Sequence, residues 1–188
     1  YVCEIPKNTT AKMEIATKEQ MNPIKQDIKK EKLRHYPFAS LVNYGALPQT
    51  WEDPNFKDPS TGLGGDNDPI DVIEIGSRTG VCGEIRPVKI IGCLGMIDEG
   101  EMDWKILTID VNNDLTDQMN SPADVDRTFP GKLKSIVDWF RAYKVPDGKP
   151  LNEFAFNGEF RDANFAQQVI EHAHKSWKEN KEGMKNAG

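Results

Sequence analysis

The sequence predicts an α+β fold, mainly β, in which a barrel or sandwich of short strands is covered by two helices. Two observations lead to this class. Apolar and polar residues alternate with a period of two through the first half and the middle, and helical periodicity arrives only late. Strands first and helices after them are typical of α+β domains. The 188 residues suit one domain, which we expect to span residues 1–188.

The predicted strands lie between turn signals. In residues 11–15, Ala11, Met13 and Ile15 share one face, and the two charged residues between them share the other. The further candidates are residues 70–75, 88–97 and 105–111. Segments rich in Gly and Pro, at 59–65 and 76–83, separate these strands.

Two amphipathic helices are predicted in the C-terminal half. The first covers residues 131–144 and is closed by Pro146, and the second covers about 162–180. Their apolar stripes are Leu133, Ile136, Val137, Phe140 and Tyr143 in the first, and Ala166, Val169, Ile170, Ala173 and Trp177 in the second. Residues 146–150 resemble a linker, but both helices need the same core, which favours one domain.

Composition excludes several classes of protein. There are 24 Lys and Arg against 30 Asp and Glu, a formal charge of −6, which argues against a nucleic-acid binder. No apolar run approaches the roughly 18 residues of a membrane span, so we expect no membrane partner. Cys3, Cys82 and Cys93 are irregularly spaced, which favours reduced thiols and a cytoplasmic location. The chain begins at Tyr1, so a targeting segment upstream stays an open alternative.

The string Asp66-Asn-Asp68-Pro-Ile-Asp71 carries the strongest chemical signal. Three carboxylates so close together repel one another unless a cation offsets them, and Mg²⁺ prefers such oxygen ligands. A calcium-binding EF-hand loop does not fit, because Pro69 stands at its fourth position and Ser77 at its twelfth. For this string alone, a solvated acidic turn is the alternative.

A second acidic segment, residues 98–105, falls between two predicted strands, where we expect a hairpin loop. Two acidic loops beside strands can converge on one site with several metals, a type of site that serves phosphoryl chemistry. Each cationic or phenolic residue elsewhere is by itself typical of a surface, but together with the acids such residues indicate a phosphate ligand. They are Lys12, Arg34, Tyr44, Lys105, Tyr143 and Lys144.

Four segments, residues 43–51, 65–72, 98–105 and 139–150, resemble the family I soluble inorganic pyrophosphatases, eukaryotic type. The resemblance covers nearly the whole chain. It implies a five-stranded OB-type β-barrel flanked by two helices. It also implies Mg²⁺-dependent hydrolysis of pyrophosphate to two phosphates, with several Mg²⁺ ions per site, for which Mn²⁺, Zn²⁺ or Co²⁺ can substitute. A metal-activated water attacks in line without a covalent intermediate, and a homodimer is possible.

The resemblance also implies roles for individual residues. The metal ligands are Asp66, Asp71 and Asp103 for the two activating ions, Asp98, Asp103 and Glu101 for ions that arrive with substrate, and Glu14 through water. The catalytic residues are Asp68, which orients or deprotonates the water, with Lys12, Arg34, Tyr143 and Lys144. The substrate contacts are Lys12, Arg34, Tyr44, Lys105, Tyr143 and Lys144. Glu4 supports the ligands from behind.

The sequence departs from the family in one segment, and two other functions stay open as alternatives. The segment between Arg34 and Asn43 is shorter than expected, and a second tyrosine is missing there unless Tyr36 takes its place. The rivals are a non-catalytic OB-type binding or scaffold subunit and a metal-dependent nucleotide phosphohydrolase. Against the second, neither common glycine-rich phosphate loop occurs. His172 and His174 lie two residues apart on a helix, so we expect no metal site between them.

Overall fold

The computed structural model describes residues 1–186, with side chains described over residues 1–180. The strands of this part are β1 (Val2–Ile5), β2 (Met13–Ile15), β3 (Ile24–Gln26), β4 (Ile28–Lys29), β5 (Lys32–Leu33), β6 (Asn43–Ala46), β7 (Asp71–Glu74), β8 (Val88–Asp98), β9 (Glu101–Asp110), β10 (Glu153–Phe154) and β11 (Arg161–Asp162). The α-helices are α1 (Pro122–Thr128), α2 (Lys132–Ala142) and α3 (Ala163–Asn186). Short 3-10 turns occupy Thr116–Gln118, Val145–Asp147 and Ala155–Gly158.

Five strands of four or more residues form a continuous sheet in the order β1, β6, β7, β9 and β8. β10 and β11 each pair with a segment of β8, while β2–β3 and β4–β5 are separate hairpins. Over residues 1–186 the ladders follow an open path from β1 to β10 rather than a closed ring.

The parallel pairing of β7 with β9 brings the two acidic segments together. Asp71 pairs with Lys105 in this ladder, and the β8–β9 hairpin continues to the pair of Asp98 with Glu101. Successive side chains of a strand point to opposite faces, so Asp103 and Lys105 share one face of β9 and Trp104 points to the other.

Apolar burial against the helices holds the sheet in place. One cluster joins the sheet to α1 and α2, and a second joins it to α3. The first includes Ile73, Leu107, Ile109, Val125, Leu133, Ile136 and Phe140, and the second includes Ile70, Trp104, Ile106, Ala166 and Ala173. Helices therefore pack on both faces of the sheet, and this packing fixes the positions of the strand ends that carry the acids.

The predicted α+β, mainly β class with helices in the C-terminal half is confirmed, and the two predicted helices are α2 and α3. Periodicity did not predict α1. This helix is too short for a clear stripe, but its start carries an ordinary signal: the Ser121 hydroxyl accepts a hydrogen bond from Asp124 N at 3.3 Å, and Pro122 follows.

The prediction that residues 98–105 form a hairpin loop is wrong for most of that segment. Glu99 and Gly100 have positive φ values of 51° and 90°, which suit a two-residue hairpin turn. The strands therefore pair right up to the turn, and Asp103 belongs to β9.

The thiols agree with the prediction from cysteine spacing. Cys3, Cys82 and Cys93 are all free, and the first and last are buried. Within residues 1–186, no helix has both the length and the apolarity that crossing a bilayer requires.

Candidate active site

A cavity of about 560 Å³ opens beside the ends of β7 and β9 and gathers almost all of the predicted site residues. Those that line it are Glu4, Lys12, Glu14, Arg34, Tyr44, Asp66, Asp68, Asp71, Asp98, Asp103, Lys105, Tyr143 and Lys144. Glu101 does not line it. Its side chain stays in solvent because it begins β9 at the hairpin turn. Grouping Glu101 with the ligands therefore receives no support from the geometry.

A tight loop presents the first acids. A Cβ on Gly65 would lie 2.4 Å from the carbonyl carbon of Glu52, so only glycine lets the two backbones approach so closely. Asp66 accepts a hydrogen bond from Asp68 N at 3.0 Å, and Asn67 has a φ of 72°. This local turn points Asp66 into the cavity ahead of β7.

Glu52, Asp66 and Asp103 form a compact group in which one carboxylate oxygen from each residue lies within 4.8 Å of the others. Burial, and then the neighbouring carboxylates, raise the pKa of Asp66 to about 8 and that of Glu52 well above its usual range. Burial also raises the pKa of Asp103 to about 6, although Lys105 pulls it down. The group is thus short of positive charge, a condition that a bound cation relieves.

Lys105 supplies positive charge beside this group. It is 1% exposed, and its Nζ donates hydrogen bonds to Asp71, to Asp103 at 2.5 Å and to the Tyr44 hydroxyl at 3.0 Å. Tyr44 in turn donates to Asp71. Burial alone lowers the pKa of Lys105, but the two carboxylates outweigh it and raise that pKa well above its usual range. The ammonium group therefore stays charged.

Glu4 of β1, Glu14 of β2 and Asp68 of the loop before β7 add further carboxylates to the cavity. Glu4 accepts a hydrogen bond from Ile15 N at 2.6 Å, which ties β1 to β2. Burial, followed by the charge of Asp71, raises the pKa of Glu4 to about 8. Burial and then Glu14 raise the pKa of Asp68 above its usual value. Asp68 therefore binds a proton more readily than an ordinary aspartate.

The cationic side of the cavity is held by ion pairs. Asp27 accepts hydrogen bonds from Lys12 at 3.2 Å and from Arg34, and Asp147 lies 3.5 Å from the Arg34 guanidinium. Lys144 pairs with Asp98 in the cavity wall. In this way the cations are oriented before any anion enters.

Aromatic packing fixes the phenol of Tyr143. Its ring stacks on Trp139 with centroids 5.3 Å apart, and the edge of Tyr36 meets both rings at 5.1 to 5.5 Å. Tyr36 itself lines the cavity. The predicted substitute for the missing tyrosine thus lies beside the predicted substrate contacts.

Sequence reasoning missed two residues of this site. Glu52 stands between Trp51 and Asp53, outside the two acidic strings, and no spacing pattern marks it for burial beside Asp103. Asp27 stands between two short strands, and only the fold shows that it joins Lys12 to Arg34.

Comparisons with known proteins agree with one another. The protein-family model described as Inorganic pyrophosphatase matches residues 1–178. The chain is 56% identical over 181 residues to the inorganic pyrophosphatase of Drosophila melanogaster. This alignment covers 94% of this chain and 54% of the relative. The chain is 57% identical over 182 residues to that of Bos taurus, with 94% and 63% covered. The chain thus spans between half and two thirds of these relatives.

Solved structures show the same likeness. The inorganic pyrophosphatase of Schistosoma japonicum superimposes with a TM-score of 0.92 at 53% identity, covering 94% of this chain and 64% of that one. An N-terminally truncated vacuolar soluble pyrophosphatase of Trypanosoma cruzi, solved in complex with PPi, gives a TM-score of 0.94 at 48% identity, covering 96% and 69%.

Proposed function

The chain belongs to the inorganic pyrophosphatase family, and from that premise we propose that it hydrolyses inorganic pyrophosphate to two phosphates in its acidic cavity. The observation that carries the proposal is that one cavity brings buried carboxylates face to face with fixed cations. A small polyanion such as pyrophosphate needs two kinds of cation there. One kind is the Lys and Arg side chains, and the other is metal ions held by the carboxylates. The relative solved in complex with PPi supports this substrate.

The carboxylate set fits a hard divalent cation. Asp66, Asp71 and Asp103, with Asp98 and with Glu14 through water, would hold it, and Glu52 lies within reach of the same ions. Burial among like charges raises the pKa of Asp66 to about 8 and that of Glu52 well above its usual range, as expected for a group that a cation completes. Mg²⁺ suits such oxygen ligands, and Mn²⁺, Zn²⁺ or Co²⁺ are substitutes. When bound, the ion supplies charge neutralisation at phosphate oxygens and a lower pKa for water.

The protein's own residues orient the reactants. Lys12, Arg34 and Lys144 bind the phosphate oxygens, and the Tyr143 hydroxyl donates a hydrogen bond from a fixed ring. Asp68 accepts the proton of the attacking water, since burial and then Glu14 raise its pKa above the ordinary value and make it a stronger base. Lys105 keeps Asp71 and Asp103 in place. Water attacks phosphorus in line, so no side chain becomes phosphorylated.

Phosphate release from pyrophosphate, with and without Mg²⁺, tests the proposal. We expect release by the wild type only with the metal, and a loss of at least a hundredfold in Asp68→Ala and Asp103→Ala. Asp138→Ala is the matched control, because Asp138 is an exposed carboxylate on α2 whose side chain is 54% accessible. No release by the wild type, or full release by both site variants, contradicts the proposal. Faster release from a nucleoside triphosphate favours a nucleotide phosphohydrolase instead.

Three further predictions are kept as proposals. The family resemblance supports a homodimer, which sedimentation equilibrium tests. The free thiols of Cys3 and Cys93, both buried, support a reducing compartment such as the cytoplasm. The organisation of residues 1–188 as one domain stays a prediction that limited proteolysis tests.

A further inference from the structure

A second cavity, of about 350 Å³, shares no lining residue with the acidic cavity. The two lie on opposite faces of β9, because Met102 and Trp104 line the second cavity while Asp103 and Lys105 line the first. The second cavity continues under α3. Its volume falls within the range of sites that bind small molecules.

Aromatic rings form much of the wall. Trp104 and Phe165 lie with ring centroids 5.5 Å apart, and Phe56 lies 3.6 Å from the ring of His172. The faces of Trp and Phe attract cations through their quadrupoles, and they also accept flat apolar groups.

The charge of the wall is negative. Glu52, Asp53 and Asp58 contribute carboxylates, and among the described residues of the lining none is Lys or Arg. Asp58 already has partners, since it accepts hydrogen bonds from Ser60 and, at 3.2 Å, from the Trp104 indole. Asp53 likewise accepts a hydrogen bond from Asn55 N at 2.8 Å. These donors are all neutral and cancel no charge, so Asp53 and Asp58 both contribute negative charge to the wall, beside the Glu52 carboxyl.

Two polar atoms of this wall are buried and have no hydrogen-bond partner. They are Oε2 of Glu52, a residue that is 6% exposed, and Nε2 of His172. The other oxygen of Glu52 accepts a hydrogen bond from Trp104 N at 2.9 Å. Buried polar atoms without a partner are rare in folded proteins, so the Glu52 oxygen calls for a hydrogen-bond donor, and His172 Nε2 calls for a donor or an acceptor according to its tautomer.

We infer that the second cavity binds an organic ammonium ion with an aromatic body. The ammonium group donates to Glu52 and neutralises the carboxylates of the wall, and the aromatic body packs against Trp104 and Phe165. A neutral compound of the same shape gains only the packing. This binding is separate from hydrolysis, and its test does not depend on the proposed function.

Glu52 also makes the two cavities interdependent. Its carboxylate lies within 4.8 Å of ligand atoms of Asp66 and Asp103, and it lines the second cavity as well. An ammonium ion in the second cavity and a divalent cation in the acidic cavity are both attracted to the Glu52 carboxylate, so the binding of each weakens the binding of the other. Thermodynamic linkage requires the same factor in both directions.

The probe is 2-phenylethylammonium, with 2-phenylethanol as its neutral counterpart, titrated into the full chain by calorimetry. We expect the amine to bind at least about tenfold more tightly than the alcohol, a difference of about 1.4 kcal/mol. Asp53→Asn and Glu52→Gln should each weaken amine binding severalfold and leave alcohol binding unchanged. Asp138→Asn is the control. If thermal melting shows that Glu52→Gln is unfolded, Asp53→Asn decides.

Titration at rising Mg²⁺ distinguishes the two cavities. For binding in the second cavity, the amine's apparent dissociation constant rises and then reaches a plateau. A rise without limit means direct competition in the acidic cavity and overturns the inference. Equal binding of amine and alcohol, or amine binding that Asp53→Asn does not change, also overturns it.

Discussion

Lys105→Met removes a buried cation from between Asp71 and Asp103 and keeps a side chain of similar length. Lys105 is 1% exposed and donates three hydrogen bonds, so the variant leaves two carboxylates and the Tyr44 hydroxyl without this donor. Breaking a buried ion pair in this way costs about 3–5 kcal/mol. We therefore expect a large loss of stability in the metal-free protein.

Protonation of Asp103 sets a limit to that cost. At pH 7, protonating a carboxyl with an ordinary pKa of 3.8 costs about 4 kcal/mol. Protonation of Asp103 removes the unpaired buried charge, so the loss of stability does not exceed this cost. The estimate therefore narrows to about 3–4 kcal/mol, which for this chain length lowers the melting temperature by about 10 °C. The loss should shrink toward pH 5, where the carboxyl takes up its proton more easily.

Thermal and urea unfolding in the presence of a chelator measure the effect of Lys105→Met. The matched control is Lys134→Met, since Lys134 is 79% exposed and its pair with Asp138 contributes only about 0.3–0.5 kcal/mol. Added Mg²⁺ should recover part of the loss in Lys105→Met and none in the control. Equal stability of the two variants within about 1 kcal/mol would refute the account of the charge balance.

Three further expectations follow from the same geometry. Gly65→Ala forces a Cβ to within 2.4 Å of the Glu52 carbonyl carbon, so we expect a loss of about 1–3 kcal/mol by urea unfolding and weaker Mg²⁺ binding by calorimetry. Asp27→Asn removes the charged partner that holds Arg34 in position, so Arg34 binds pyrophosphate less well and KM should rise about tenfold in a phosphate-release assay. The third concerns Glu4, whose pKa rises from 4.5 unfolded to about 8 folded. The folded state then holds the extra proton between these values, so metal-free stability should fall as pH rises through that window, by at most about 1.4 kcal/mol per pH unit, and Glu4→Gln should flatten the curve of urea-unfolding free energy against pH.

Each of these has a result that contradicts it. Unchanged Mg²⁺ affinity in Gly65→Ala means that the loop position is not needed for the acids. A KM in Asp27→Asn equal to that of Asp138→Asn means that the ion pair does not orient Arg34. The same pH dependence of metal-free stability in the wild type and in Glu4→Gln would exclude a raised pKa at Glu4.

The aspartates of the candidate site could be predicted from the residues themselves because they stand in short, dense strings, whereas the roles of most of the cations and tyrosines came from the family resemblance. Asp66, Asp68 and Asp71 lie within six residues, and their repulsion in any compact structure already indicates a cation. The helices α2 and α3 were predictable for a similar reason, since their apolar stripes are local and long. The boundary of the second acidic segment was not, because a two-residue turn at Glu99 and Gly100 lets pairing continue through the acids.

Glu52 and Glu101 show where local pattern stops being informative. Glu101 belongs to an acid-rich string, yet the hairpin end leaves it in solvent. Glu52 belongs to no such string, yet its backbone packs against Gly65 and brings its carboxylate to Asp66 and Asp103. Burial of a single side chain depends on contacts between distant segments, which a single sequence does not reveal.

The sequence by itself determined the kinds of chemical groups available, the mainly β class and the family resemblance. These depend on residue type, period and short spacing. Only the tertiary structure decided which charges meet: the parallel pairing of β7 with β9 sets Asp71 beside Lys105, and the alternation of β9 separates an acidic cavity from an aromatic one. The physical reason is that strand pairing is selected by apolar burial summed over the whole sheet. The positions of the short polar strings are therefore set by the strand pairing that this burial selects.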